Sequence, residues 1–231
     1  MADLPSPGAL ASLQKIYALW RQWEKRFSLA CQPGCAACCT QAVLATRLET
    51  EYLAQAFPAE TTAILAQVSG RHWPAPRLTT NQFAALCLAR SPEPDDPYQP
   101  QSAPCLFLDA RGRCQVYPAR PLACRIMAST RPCHEAALPP EIFTSIGSVF
   151  MQAVEHLDGR QWGSLWSLLP VVLAPVEAKG AAAKDNSGPL RPCHPLPGLL
   201  LSNREWQQAK EVIQELLGLI SGQPSHQQEK P

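Results

Sequence analysis

Four cysteines fall within nine residues, Cys31, Cys35, Cys38 and Cys39, in the run CQPGCAACC. No other feature limits the chain as sharply. Short Cys-to-Cys loops let several thiolates converge on one ion or cluster without a long loop closure. The small residues between them, Gly34, Ala36 and Ala37, let the backbone wrap closely and offer amide donors to sulfur. A disulfide between the adjacent Cys38 and Cys39 would demand strained geometry. One buried thiol packs as an ordinary small hydrophobe, but four so close need another explanation.

A second group follows in PCLFLDARGRCQVYPARPLACR, residues 104–125. Leu106 to Leu108 and Cys114 to Tyr117 flank a Gly-containing turn, so a small hairpin is expected there, with Cys105 and Cys114 presented from its two bases. Pro121 fixes the chain direction just before Cys124. Arg113, Arg120 and Arg125 are interspersed among these thiols. A four-thiolate metal site is anionic, and guanidinium groups beside it would offset charge and donate to sulfur.

The two stretches taken in order resemble the YkgJ-type cysteine-cluster family, the CxxCxxCC domain of zinc- or iron-chelating proteins. The likeness covers roughly residues 31–133, with one departure: three residues, not two, separate Cys31 from Cys35. The resemblance implies that Cys31, Cys35, Cys38, Cys39, Cys105, Cys114 and Cys124 are metal-site positions, and that Tyr117, Arg120 and Arg125 support the site. Bacterial proteins similar to this family include a flagellin lysine methylase with an iron–sulfur cluster. The resemblance therefore implies a metal-binding protein with no defined reaction, or alternatively an iron–sulfur-dependent enzyme of methyl transfer or redox chemistry.

Seven thiols exceed the needs of one tetrahedral ion. Either a 4Fe–4S cluster or zinc takes four of them, or two metals share the set, since all-thiolate ligation serves both zinc and iron–sulfur clusters. The compact run from Cys31 to Cys38 is closer to cluster-binding loops than to paired zinc knuckles, which favours iron–sulfur. Cys133, nine residues after Cys124 and followed by His134, lies within reach of the same site and joins the candidate ligands. Cys193-His194 is a lesser candidate. Cys87 reads as core, and His72 and His156 stand alone. The Cys31-x3-Cys35-x2-Cys38 spacing also matches radical S-adenosylmethionine enzymes, but the strand–helix alternation of their barrel is missing.

Around these motifs the chain reads as mainly α with a small β-hairpin, an irregular α+β fold. It forms a single compact cysteine-rich metal-binding domain with flanking helices. Amphipathic spacing predicts a helix over 6–30 carrying Leu13, Ile16, Trp20, Trp23 and Phe27 on one face. Further helices are expected at 47–57 and 59–68, the first opened by the capping-box sequence Thr46-Arg-Leu-Glu49. Others fall at 81–90, 140–157 and 203–220, the last opened by Ser202-Asn-Arg-Glu205. Residues 161–176 form an apolar segment, 91–104 a proline-rich loop and 177–192 a linker. The divisions are 1–30 (N-terminal helix), 31–135 (cysteine-cluster domain), 136–220 (helical region packing on it) and 221–231 (flexible tail).

Charge and composition remove several function classes. A net charge of +1 leaves no basic footprint for nucleic acid or anionic membrane. No apolar run reaches the roughly 20 residues of a membrane span, and the first residues carry no secretory signal pattern. Ten cysteines without export signals point to the reducing cytoplasm and to metal chemistry. No sequence feature names a protein partner.

Overall fold

The computed structural model describes residues 7–31, 34–135, 138–174 and 190–221. Eight α-helices and a three-stranded antiparallel sheet make up the regular structure among them. Most of the expected linker and all but the first residue of the expected tail lie outside the described residues, as does the side chain of His134.

Helix α1 (Pro7–Glu24) buries Leu13, Ile16, Tyr17 and Trp20. It is shorter than the periodicity predicts. After Glu24 the chain tightens, with the Arg26 amide donating to the Trp23 carbonyl (3.0 Å) and Phe27 to Glu24 (3.1 Å). Phe27 thus keeps its place against Trp23 (ring centroids 5.4 Å) although the helix has ended. Strand β1 (Leu44–Thr46) leads directly into α2 (Arg47–Ala56), whose Thr46–Glu49 capping box is formed in both directions. Helices α3 (Pro58–Val68) and α4 (Thr80–Ala89) follow.

A short helix α5 (Leu122–Ile126), not expected from the sequence, carries Cys124. Five residues after a proline leave too little periodicity to read. Helix α6 (Glu141–Asp158) ends at Gly159, whose φ of +65° supplies the left-handed residue that closes the helix. Strand β2 (Gln161–Ser164), helix α7 (Leu165–Leu173), strand β3 (Arg191–Pro192) and helix α8 (Asn203–Ile220) complete the order. The apolar segment is therefore a strand followed by a helix, and the C-terminal edge of the expected linker is a strand.

The sheet runs β1–β2–β3, with Ala45 opposite Gly163 and Trp162 opposite Arg191. It is not the predicted hairpin. Between Leu108 and Cys114 only one isolated antiparallel bridge forms. The Leu108 amide folds back onto the Cys105 carbonyl (3.1 Å), which bends the chain before a ladder can extend.

Two apolar clusters flank the cysteine segments. In one, α1, α6 and α8 bring together Trp20, Phe143, Phe150, Ile213 and Leu216, with Trp20 edge-on to both phenylalanines. In the other, Leu53, Val68, Trp73, Phe107, Leu168 and Trp166 pack together, and Cys105, Cys114 and Cys124 rest against them. Gly147 of α6 sits beneath α5 so closely that a Cβ there would stand 2.9 Å from Ile126 Cγ2. A buried ion cluster joins α2 to the β2 end of α6: Arg160 pairs with Glu51 (2.7 Å) and Asp158 (2.8 Å).

Candidate metal centre

The two cysteine stretches lie side by side. Thr40 and Pro104 form an antiparallel bridge, the Gln41 amide donates to the Ala103 carbonyl (2.8 Å), and the Cys105 amide donates to the Cys39 carbonyl (3.0 Å). The first cluster is thereby registered against the second by main-chain bonds, independent of side-chain chemistry.

Beyond Cys105 the turn is held by one carboxylate. Asp109 Oδ1 accepts from the amides of Arg111 (2.8 Å) and Arg113 (2.9 Å), and Gly112 takes φ +72° where a side chain would be strained. Gln115 then donates to the Phe107 carbonyl (2.9 Å), which returns Cys114 toward Cys105. Arg113 closes this turn through an exposed pair with Asp109 (2.9 Å), so it braces the loop.

Cys124 is placed from the opposite side by Glu49. The Leu122 amide, in the first turn of α5, donates to Glu49 Oε1 (2.7 Å), and the Tyr17 hydroxyl donates to the same oxygen (3.0 Å). Glu49 Oε2 accepts from the Thr46 amide (2.9 Å). One buried carboxylate therefore links α1, α2 and α5. Arg125 is also buried, donating to the carbonyls of Arg120 (2.9 Å) and Pro118 (2.7 Å) and lying 4.1 Å from the Tyr17 ring centroid. It holds the 118–120 turn, and its guanidinium is committed to these carbonyls.

Together these supports enclose a cavity of about 490 Å³ lined by Cys31, Cys35, Cys38, Cys39, Cys105, Cys114 and Cys124. Tyr117 and Arg120 also line it, and the Arg120 guanidinium stacks 3.9 Å from the Tyr117 ring centroid. Arg120 Nε is buried with no hydrogen-bond partner among the described residues, a donor left for an anionic group. Much of the remaining wall is apolar, from Val43, Leu44, Ile126, Met151, Val154 and Trp162, with Thr40, Thr46, Glu49, Thr80 and Tyr98 adding polar groups.

All ten cysteines are free. Cys133, at the start of a short 3₁₀ turn (Cys133–Glu135), is exposed, and its sulfur neighbours are Cys35, Cys31 and Cys38. Cys31 is fixed by the Ser129 amide, which donates to its sulfur (3.3 Å), while the Ala30 amide donates to the Ser129 carbonyl (2.8 Å). The extra residue after Cys31 thus leaves that thiol held in place. Among the described residues, no three Cys, His, Asp or Glu side chains are gathered tightly enough to clasp an ion. The thiols line a shared chamber, and closing on a metal requires side-chain rotation.

The sulfurs sense one another. The interaction between the adjacent Cys38 and Cys39 thiols raises the pKa of Cys38 well above the thiol range and lowers that of Cys39. Burial, with Cys105, Cys124 and Cys114 nearby, opposes the lowering at Cys39. Burial pushes Cys105 up to about 11, raises Cys114, and raises Cys124 further still, where Cys105 and Cys114 add to the effect. Arg120 acts in the other direction on Cys38, Cys114 and Cys124. A soft, all-sulfur donor set beside a cation suits zinc or iron–sulfur ligation.

Several expected residues lie elsewhere. Cys87 is exposed and is no part of the core, because α4 turns that face, with Phe83 and Leu88, to solvent. Cys193 packs at the end of α6, where its thiol meets Asp158 Oδ2 (3.7 Å) and burial raises its pKa. The His194 amide donates to Glu155 (2.9 Å), tying that pair to the same helix. His72 is exposed, and His156 Nδ1 accepts from the Leu196 amide (3.3 Å). Conversely, Glu49, Met151, Trp162 and the loop residue Tyr98 reach the chamber without having been singled out. For Glu49 a signal existed in its capping box; for the others none did.

Residues 30–141 match the model of the CxxCxxCC family, described as "Putative zinc- or iron-chelating domain". That span holds every cysteine lining the chamber, together with Cys133. No curated protein and no solved structure matches the chain.

Proposed function

We propose that this is a metal-binding protein whose clustered cysteine thiolates hold iron as an iron–sulfur cluster, with zinc as the competing occupant, and that it works in the reducing cytoplasm. One observation carries the reading: seven sulfurs from two separated stretches line a single cavity. The family match supports chelation of zinc or iron, and the free state of all ten thiols suits a reducing compartment. When bound, the group would be held by thiolates of the chamber and would supply redox or Lewis-acid chemistry. Arg120 would offset its negative charge, and the Cys39–Cys105 strand pairing would orient it. No helix among the described residues is long and apolar enough to cross a membrane.

The test is the iron, zinc and acid-labile sulfide content of protein isolated without oxygen. Iron with equivalent sulfide supports the cluster, and zinc alone replaces it with the zinc form. Protein free of metal, with stability unchanged by added iron or zinc, sinks the reading.

The cavity itself favours a second reading, an iron–sulfur-dependent enzyme of methyl transfer or redox chemistry. At about 490 Å³, with an apolar wall facing the sulfurs, it falls in the size range of small-molecule sites. A purely structural site needs no such room. A visible chromophore bleached by dithionite and altered by S-adenosylmethionine would support the enzyme, and a colourless zinc protein would exclude it.

A further inference from the structure

We infer that the eight clustered thiols form two adjacent four-thiolate metal sites, an inner set of Cys39, Cys105, Cys114 and Cys124 and an outer set of Cys31, Cys35, Cys38 and Cys133, meeting at the Cys38–Cys39 contact. This rests on the metal-binding reading above and assigns its ligands.

The scaffolding divides in the same way. The inner sulfurs come from the Cys39–Cys105 main-chain pairing, the turn braced by the Asp109 carboxylate and helix α5 seated on the buried Glu49. Cys105, Cys114 and Cys124 rest against the apolar cluster around Trp166. Cys39 has Cys105, Cys114 and Cys124 as neighbours, and those three neighbour one another.

Two of the outer four, Cys35 and Cys133, are exposed, while Cys31 and Cys38 are half-buried. The outer four depend on a different tie, the Ala30–Ser129 and Ser129–Cys31 hydrogen bonds, which lay the 129–135 segment along the start of the first cluster and bring Cys133 to Cys31, Cys35 and Cys38. Four sulfurs complete either a tetrahedral ion or a cubane cluster, so eight make two complete sets with none left over. Arg120 lies at the boundary, acting on Cys38 of one set and on Cys114 and Cys124 of the other. Two anionic centres so close repel each other, so the exposed outer site is the weaker.

The experiment counts zinc bound to the full-length chain, prepared metal-free under reducing, oxygen-free conditions, by elemental analysis and native mass spectrometry. Two zinc ions are expected, and a chelator should remove one of them well before the other. The Cys35→Ser/Cys133→Ser variant, altered only at exposed positions, should keep one tightly held zinc and an unchanged circular dichroism spectrum. Cobalt in place of zinc should lose about half of its sulfur-to-metal absorption in that variant. One zinc in the unaltered chain overturns the partition while leaving the metal-binding reading intact. A folded double variant that holds two zinc ions, or none, also overturns it. An unaltered chain that binds no metal overturns both.

Discussion

The Cys105 amide donates to the Cys39 carbonyl at 3.0 Å, so the two cysteine stretches are joined by backbone before any metal is considered. The register of these sulfurs is a property of the fold. The bound metal has only to rotate side chains, and its binding energy should appear as added stability.

Metal loading should therefore raise the thermal midpoint of the protein, and chelation should reverse the gain. In Cys124→Ser the gain should shrink sharply, because one of the sulfurs lining the chamber is lost. Differential scanning fluorimetry with and without metal checks this.

Loading should also be steeply pH dependent. Cys105, Cys114 and Cys124 all have raised pKa values, chiefly from burial, so near neutral pH they carry protons that the metal must displace. Apparent affinity should rise with pH between about 6 and 8. A weakly buffered titration with an indicator dye should record proton release.

The metal-free protein should behave in the opposite sense. The folded-state pKa of Cys105 is pushed from 9.0 up to about 11, so the folded state holds that proton more tightly than the unfolded chain does. The associated stability is complete below pH 9 and is lost as pH rises toward 11. A loss of about 2–3 kcal/mol is expected across that window. Urea midpoints at pH 8 and pH 11 measure it, and Cys105→Ala should flatten that part of the dependence.

Arg120→Gln removes the cation beside Cys38, Cys114 and Cys124 while sparing the buried Arg125 clamp. Metal affinity should fall about 10–100-fold, as for other groups that support ligands from behind. Arg120→Lys should restore part of it, and an unchanged urea midpoint in the metal-free state would separate the effect from folding.

Gly147→Ala would place a methyl group 2.9 Å from Ile126 Cγ2, forcing α5 away from α6. A destabilisation of about 1–3 kcal/mol is expected from overpacking. Because Cys124 rides on α5, metal affinity should drop as well, which competitive chelation would show.

The sequence was most legible where chemistry is local. The capping boxes at Thr46 and Ser202 placed the starts of α2 and α8. Cysteine spacing marked both walls of the chamber. What could not be read was non-local. Strand β1 pairs with a segment more than a hundred residues away, and no pattern in Leu44–Thr46 announces Gln161–Ser164 as its partner. The arginines show the same limit: composition put three near the thiols, but only contacts reveal that Arg113 braces Asp109, Arg125 clamps a turn and Arg120 faces the sulfurs.

That distant strand pairing bears on how the protein is made. All eight clustered thiols are synthesised before Gln161–Ser164, so for that interval they stand without the sheet, and without the Trp166 indole that donates to Gln41 near Cys39 (2.6 Å). The nascent chain is thus a run of accessible sulfur awaiting its own second half, and the chamber can close around a metal only once that half has been made.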